Sequence, residues 1–338
     1  MAEHSWPRVL ATLMRGEPLD STATAWAMDE IMAGEATQAQ LAAFVVLLRA
    51  KGETSDELAG LVHTMRERAT PVPIRGPAVD VVGTGGDLAH TVNITTMAAI
   101  VVAGSGRMVV KHGNRSASSQ CGAADVLEEL GVVIDLGPDG VAATAGEVGI
   151  GFCFAPVFHR GMRHAGPPRR ELGVPTVFNV LGPLTNPACV RRQVIGVFDR
   201  RWVERVAEAL LRLGTERAWV VHGSGIDELT TSGVSNVAEF RDGKVTSFEV
   251  TPEDVGLPRV PLDALKGGEP AHNAALMRDL LGGARGALRD IVLLNSAAAL
   301  VVADRVGDLR AGVAIAAEAI DSGAARRVLE RLVAMTNG

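Results

Sequence analysis

Cysteine is scarce in this chain: there are three in 338 residues, at positions 121, 153 and 189. They lie far apart, without metal-type spacing and without an even-numbered disulfide framework, so they read as reduced structural thiols of a cytosolic protein. Tyrosine is absent altogether. Basic charge is not in excess. The net charge of −6 argues against a protein that coats nucleic acid. No apolar run approaches the ~20 residues of a membrane span. The longest candidate, IVLLNSAAALVVAD, is broken by Asn295 and Ser296 and reads as a buried helix. The opening MAEHSWPRVL has no basic segment leading into an apolar one, which excludes a signal peptide there.

What is present is a large apolar fraction, 47%, together with 38 glycines. That suffices for two domains, or one large one, with a sizeable core. Residues 1 to about 70 carry helical apolar spacing. STATAWAMDEIMAG is stopped by Gly34. TQAQLAAFVVLLRAKG opens on a capping-box pattern, Thr37 with Gln40, and closes at Gly52. SDELAGLVHTMRERA is a third such helix. Pro71 to Pro77 then breaks the pattern and reads as a hinge or linker.

From Ala78 onward, short β-rich runs alternate with helical stretches, the pattern of a mostly parallel sheet with surrounding helices. The expected fold is α/β, with a small helical domain over 1–72 hinged to a large domain over 73–338. The proline-studded basic segment 163–190 fits neither strand nor helix cleanly, and is expected to return to the helical domain. Polar or glycine-rich loops follow successive apolar runs. DVV leads to GTGGD, RMVV to KHGNRSASS, GIGFCF to APVFH and WVV to HGSGIDE. In open parallel sheets ligands sit outside the carboxyl ends of the strands, so recurring loops of this kind point to one shared site.

Each loop alone is open to a plain reading. Gly83, Gly85 and Gly86 suit close backbone approach to a phosphate, or simply a tight turn. Asn93, Thr95 and Thr96 fall at a helix N-terminus, which favours an anion, although N-capping explains one of the three. The G-x-G-x-x-G spacing and the Walker lysine are both missing. Lys111 suits a phosphate as a point charge, and the plain alternative is a solvated basic loop. Asp227 and Glu228 read as solvated acids or, beside phosphate loops, as a Mg²⁺ site. Arg169 and Arg170 suit a carboxylate, or a salt bridge with Glu171.

Taken together, DVVGTGGD, NITT, KHGNRSASSQCGAADVLEELG, FAPVFH, RRELGVPTVFNVLGPLTNPA, QVIGVF and VVHGSGIDEL resemble the anthranilate phosphoribosyltransferase family. The resemblance implies transfer of the phosphoribosyl group of phosphoribosyl pyrophosphate (PRPP) to the amine of anthranilate, in tryptophan biosynthesis. It implies the domain pair of type III nucleoside phosphorylases, a Mg²⁺ requirement, and a cytoplasmic homodimer formed through the helical part.

Carried onto this sequence, PRPP would meet Gly83, Gly86, Asp87, Thr91, Asn93, Ile94, Thr95 and Thr96. It would also meet Lys111, His112, Gly113, Asn114, Arg115, Ser116, Ala117, Ser118, Ser119 and Ala123. Anthranilate would meet Gly83, Asn114 and Arg169. Thr95, Asp227 and Glu228 would serve the metal. No protein nucleophile is implied, and His112 is the candidate if there is a base. Thr95 and Ala123 stand where the family usually or often has serine, and GMRHAGPPRR departs from the usual sequence ahead of the arginines. A pyrimidine nucleoside phosphorylase and a non-enzymatic nucleic-acid-binding homologue are the alternatives.

Overall fold

The computed structural model describes residues 4–116 and 119–338. Four helices open the chain: α1 (Trp6–Met14), α2 (Ser21–Ala33), α3 (Gln38–Lys51) and α4 (Ser55–Glu67). Their ends are written locally. Gly34 closes α2 in the left-handed region at φ 80°. Thr37 and Gln40 form the expected reciprocal capping box, and Thr54 with Glu57 form a second one at α4.

A seven-stranded sheet follows, in the order β3-β2-β1-β4-β5-β6-β7. Its strands are β1 (Val79–Gly83), β2 (Val109–Gly113), β3 (Ile150–Phe154), β4 (Arg192–Gly196), β5 (Arg217–Gly223), β6 (Ser235–Arg241) and β7 (Lys244–Val250). The first five run parallel, and β6 and β7 add an antiparallel edge. The chain winds outward from β1 to β3, then restarts on the other side of β1 with β4. That reversal makes the crevice at the carboxyl ends of β1 and β4 the topological switch point, where open α/β sheets bind ligands.

Alternation along the strands divides the core. Val79, Val81, Val109 and Val194 pack with α5 (Ile94–Gly104) and the buried helix Ala287–Val302. Val82, Ile195, Val197 and Val220 face the other way and share one cluster with Met28, Phe44, Leu48 and Leu61 of the bundle. The segment expected to return to the helical part is a chain of short helices, Arg160–Ala165, Gly166–Leu172 and Phe178–Leu181. Ala165, Phe178 and Leu181 lie in the bundle-side cluster. The linker after α4 is pinned at both other crossings: Thr70 N donates to Phe158 O at 3.0 Å, and Val72 N donates to Pro187 O at 3.1 Å. Three adjacent passages of chain therefore join the two parts. Cys121 and Cys153 are buried, Cys189 is exposed, and all three are free thiols.

Candidate active site

The loop after β1 does not end in open space. Gly83 and Gly196 are register partners at the last position of β1 and β4, so they form the floor of the switch point. Asp227, from the loop after β5, rests on that floor. A Cβ on Gly83 would lie 2.3 Å from Asp227 Oδ2, and one on Gly196 would lie 1.4 Å from Asp227 O. A Cβ on Gly223 would meet Glu228 O at 2.3 Å. Three strand ends are thus glycine because a distant acidic loop packs onto them. Gly85 and Gly86 are glycine for another reason: both adopt positive φ, 64° and 80°, although an added Cβ would meet nothing within 4 Å among the described residues.

The amide of Gly85 donates to Asp227 Oδ2 at 2.6 Å, and Asp227 N points to Asp87 Oδ2 at 3.4 Å. Carboxylate oxygens of Asp87, Asp227 and Glu228 lie within 4.8 Å of one another. Burial, and then the Asp87 charge, push the Asp227 carboxyl up to about 7. Burial and both neighbouring acids push Glu228 well above the carboxylate range. Glu228 Oε2 is buried and meets no protein donor among the described residues. Three hard oxygen donors, one of them orphaned, suit a hard divalent cation such as Mg²⁺.

The sequence KHGNRSASS reads as a loop that follows a strand. In the structure its first three residues belong to β2 itself, because the parallel ladder continues to Gly113 opposite Phe154. Strand alternation then sends neighbours to opposite faces. Lys111 points toward α5 and is 2% exposed. Its ammonium donates to Val81 O at 2.6 Å and to Thr95 Oγ1 at 3.3 Å. Burial lowers its pKa, while Asp80, Glu228 and Asp227 act to raise it. His112 points the other way, toward the turn after Phe178–Leu181.

There His112 Nδ1 meets Gly182 O at 2.9 Å. A carbonyl only accepts, so Nδ1 carries the proton and the buried Nε2 keeps its lone pair. The His159 ring lies 5.2 Å away, centroid to centroid. His159 Nε2 bonds Thr185 O at 2.9 Å, leaving Nδ1 as a second buried lone pair. Burial lowers His112 to about 3 and His159 to about 4, so both rings are neutral. Beneath them Asp80 accepts from the Asn186 amide at 2.8 Å and from His112 N at 3.3 Å. Burial raises Asp80 to about 6, against the pull of Lys111.

The remaining expected residues divide into three groups. Thr91 bridges to Lys266. Asn93 stands at the N-cap of α5, but its side chain donates to Cys121 O and accepts from Asn273 Nδ2, both at 3.0 Å. Ile94, Thr95 and Thr96 make the first turn, with Ile94 and Thr96 buried. After β2, Asn114 Oδ1 accepts from Arg115 N at 2.7 Å. Arg115 faces Asp125 and Glu128, and Ser116 bonds Ser119, so these side chains fold their own loop. Ala117 and Ser118 lie outside the described residues. Ala123 opens α6 (Ala123–Glu129). Arg169 sits 5.3 Å over the Phe178 ring, and burial lowers its pKa.

Residues that sequence reasoning left unassigned are Asp80, His159, Asn186 and Gly196. All lie inside the motif stretches, but their roles depend on contacts with residues far away along the chain.

Residues 75–326 match the glycosyl transferase family, a/b domain, and residues 7–69 match its helical bundle domain. An anthranilate phosphoribosyltransferase of Parvibaculum lavamentivorans is 53% identical, over 98% of this chain and 97% of its own length. One from Salinispora arenicola is also 53% identical, over 98% of this chain and 97% of its own. Among solved structures, the Thermus thermophilus anthranilate phosphoribosyltransferase superposes with a TM-score of 0.93 at 46% identity, covering 98% of this chain and 99% of that one. The Saccharomyces cerevisiae enzyme in complex with PRPP and Mg superposes at 0.90 with 26% identity, covering 98% of both chains.

Proposed function

The chain belongs to the glycosyl transferase family with these helical-bundle and α/β domains, and on that premise we propose that it is an anthranilate phosphoribosyltransferase. It transfers the phosphoribosyl group of PRPP to the amine of anthranilate and releases pyrophosphate, in tryptophan biosynthesis. The observation that carries this reading is the acid cluster Asp87, Asp227 and Glu228, seated on the glycine floor of the switch point beside a helix N-terminus.

The bond from ribose C1 to the pyrophosphate oxygen breaks, a bond from C1 to the anthranilate nitrogen forms, and that nitrogen gives up a proton. Asp227, Glu228 and the Thr95 hydroxyl would hold Mg²⁺, with Asp87 beside them, and the ion would supply charge neutralisation of the departing pyrophosphate. The positive-φ amide at Gly86, the turn at Thr91 and the first turn of α5, Asn93 to Thr96, cradle the phosphates. Lys111, Gly113, Asn114, Arg115, Ser116, Ser119 and Ala123 line the same ligand, with Lys111 acting through its charge from beneath. Arg169, held over Phe178, grips the anthranilate carboxylate with its planar fork, next to Gly83 and Asn114. The neutral His112 presents a lone pair able to take the amine proton. No side chain is needed as a nucleophile; positioning and charge stabilisation carry the step.

The division at residues 72/73 makes the three passages near Thr70, Phe158 and Pro187 the hinge. Closure there brings Arg169 toward the glycine loops and excludes water, which would otherwise hydrolyse PRPP. Met14 and Val46, exposed apolar residues of α1 and α3, support a homodimer through the bundle. The setting is cytoplasmic, consistent with no helix among the described residues being long and apolar enough to cross a membrane.

Incubation with PRPP, Mg²⁺ and anthranilate should quench anthranilate fluorescence and yield one pyrophosphate per anthranilate consumed. PRPP left intact, with fluorescence unchanged, would overturn the assignment.

A further inference from the structure

The helix Ala287–Val302 is buried almost throughout, yet it carries Asn295, which is 1% exposed. Asparagine is a poor helix former, and its amide is costly to bury without partners. Here every partner is accounted for. Asn295 Oδ1 accepts from Leu229 N at 3.0 Å. Its Nδ2 donates to Leu229 O at 2.8 Å and to Ile291 O at 2.9 Å. The side chain thus takes both backbone groups of one loop residue, as a neighbouring strand would.

Leu229 directly follows the acid pair. The other end of that loop is closed by two backbone bonds, Gly223 N to Ile226 O at 3.0 Å and Ile226 N to Gly223 O at 3.2 Å. Glu228 lies between these two clamps. Its backbone oxygen packs on Gly223, and its Oε2 meets no protein donor. Among the described residues no hydrogen bond holds the Glu228 carboxylate itself in place, so its aim depends on the peptides on either side. On the far side Asn295 holds both backbone groups of Leu229, and Ser235 Oγ accepts from the next amide, Thr230 N, at 2.9 Å.

We propose that Asn295 is a positioning residue for the proposed metal site: it sets the direction of Glu228, and so the affinity for the divalent cation. This rests on reading Asp227 and Glu228 as metal-holding. Groups that orient metal ligands typically govern affinity about 10–100-fold.

Asn295→Leu keeps the γ-branched shape, at a larger volume, and removes all three hydrogen bonds. Asn295→Ser keeps a small polar group that cannot span to Leu229. Mn²⁺ binding in the presence of PRPP, followed by the electron paramagnetic resonance of free Mn²⁺, should weaken at least about 10-fold in both variants. The Mg²⁺ concentration for half-maximal turnover should rise in parallel, excess Mg²⁺ should restore much of the rate, and the KM for anthranilate should stay within about twofold of wild type. Ser296→Ala, next along the same buried helix, should leave all three unchanged.

A folded variant with wild-type Mn²⁺ affinity overturns the proposal. So does failure of both variants to fold, which would make Asn295 a folding residue. Wild-type protein that takes up no Mn²⁺ with PRPP would instead overturn the reading of the acid pair.

Discussion

Lys111 and His112 are neighbours on one strand, yet they serve two unlike pockets. On the Lys111 face the buried groups are acids. Asp227 and Glu228 are pushed toward the protonated form, and one carboxylate oxygen is orphaned. On the His112 face two imidazoles are held neutral above the buried Asp80, each ring bonded to a carbonyl through one nitrogen. The first pocket crowds acids around one buried ammonium, whereas in the second burial disfavours protonation of either ring. Two adjacent residues thus stand in opposite electrostatic surroundings.

The strongest way to break this comparison is at the floor. Gly196→Ala places a methyl where the Asp227 carbonyl now sits, so the acidic loop must move by an ångström or more. Misplacement on that scale costs about 100-fold in turnover. Overpacking adds about 1–3 kcal/mol of lost stability. Activity and urea denaturation should both register the change, and a variant near wild type in both would show that the loop is not seated there.

Neutralising the acids sharpens the contrast. Asp227→Asn with Glu228→Gln should keep the fold and lower Mg²⁺-dependent turnover about 10–100-fold. Without metal at pH 8 it should also melt higher than wild type, because two buried carboxylates no longer have to ionise. Unchanged Mg²⁺ dependence would place the metal elsewhere.

The smallest effect lies on the imidazole side. His112 and His159 titrate at about 3 and 4 when folded, below the usual 6.5. The unfolded chain takes up their protons first as pH falls. The stability they confer is complete above about 6.5 and is lost toward 4, by about 2 kcal/mol per ring at pH 5. The buried acids, raised by burial, work in the opposite direction, so a single pH curve is ambiguous. His159→Asn keeps a donor for Thr185 O and removes one ring. The melting-temperature gap between wild type and this variant should therefore shrink from pH 7 to pH 5. A gap that stays constant would mean His159 is not held neutral by burial.

How much of this was legible in the sequence differs by element. Gly34, Thr37, Gln40 and Gly52 act within a few residues of where they stand, so the ends of α2 and α3 read directly. The run IVLLNSAAALVVAD read as a buried helix, and its polar break at Asn295 was visible, although its partner Leu229 was not. The apolar runs of the parallel strands were equally plain. Lys111 and His112 were misplaced onto a loop because polar residues at a strand's end look like loop residues, until the pairing with β3 places them in the ladder. Gly83 was read as room for a phosphate. Its Cβ position is closed off by Asp227, a contact that no local pattern encodes. Arg115 looked free to meet an anion and instead faces Asp125 and Glu128. The family resemblance supplied Asp227 and Glu228 as a pair; the structure adds the floor beneath them and the rings on the opposite face.

The glycine floor also bears on the order in which the molecule is made. Helices α1 to α4 find one another within the first 67 residues, and contacts so local form early. Gly83 and Gly196 leave the ribosome before Asp227 exists to cover them. Until the loop after β5 arrives, the nascent chain holds two bare strand ends and no acid pair. The acid cluster therefore cannot assemble until both windings of the sheet have been made, and its assembly marks their having joined.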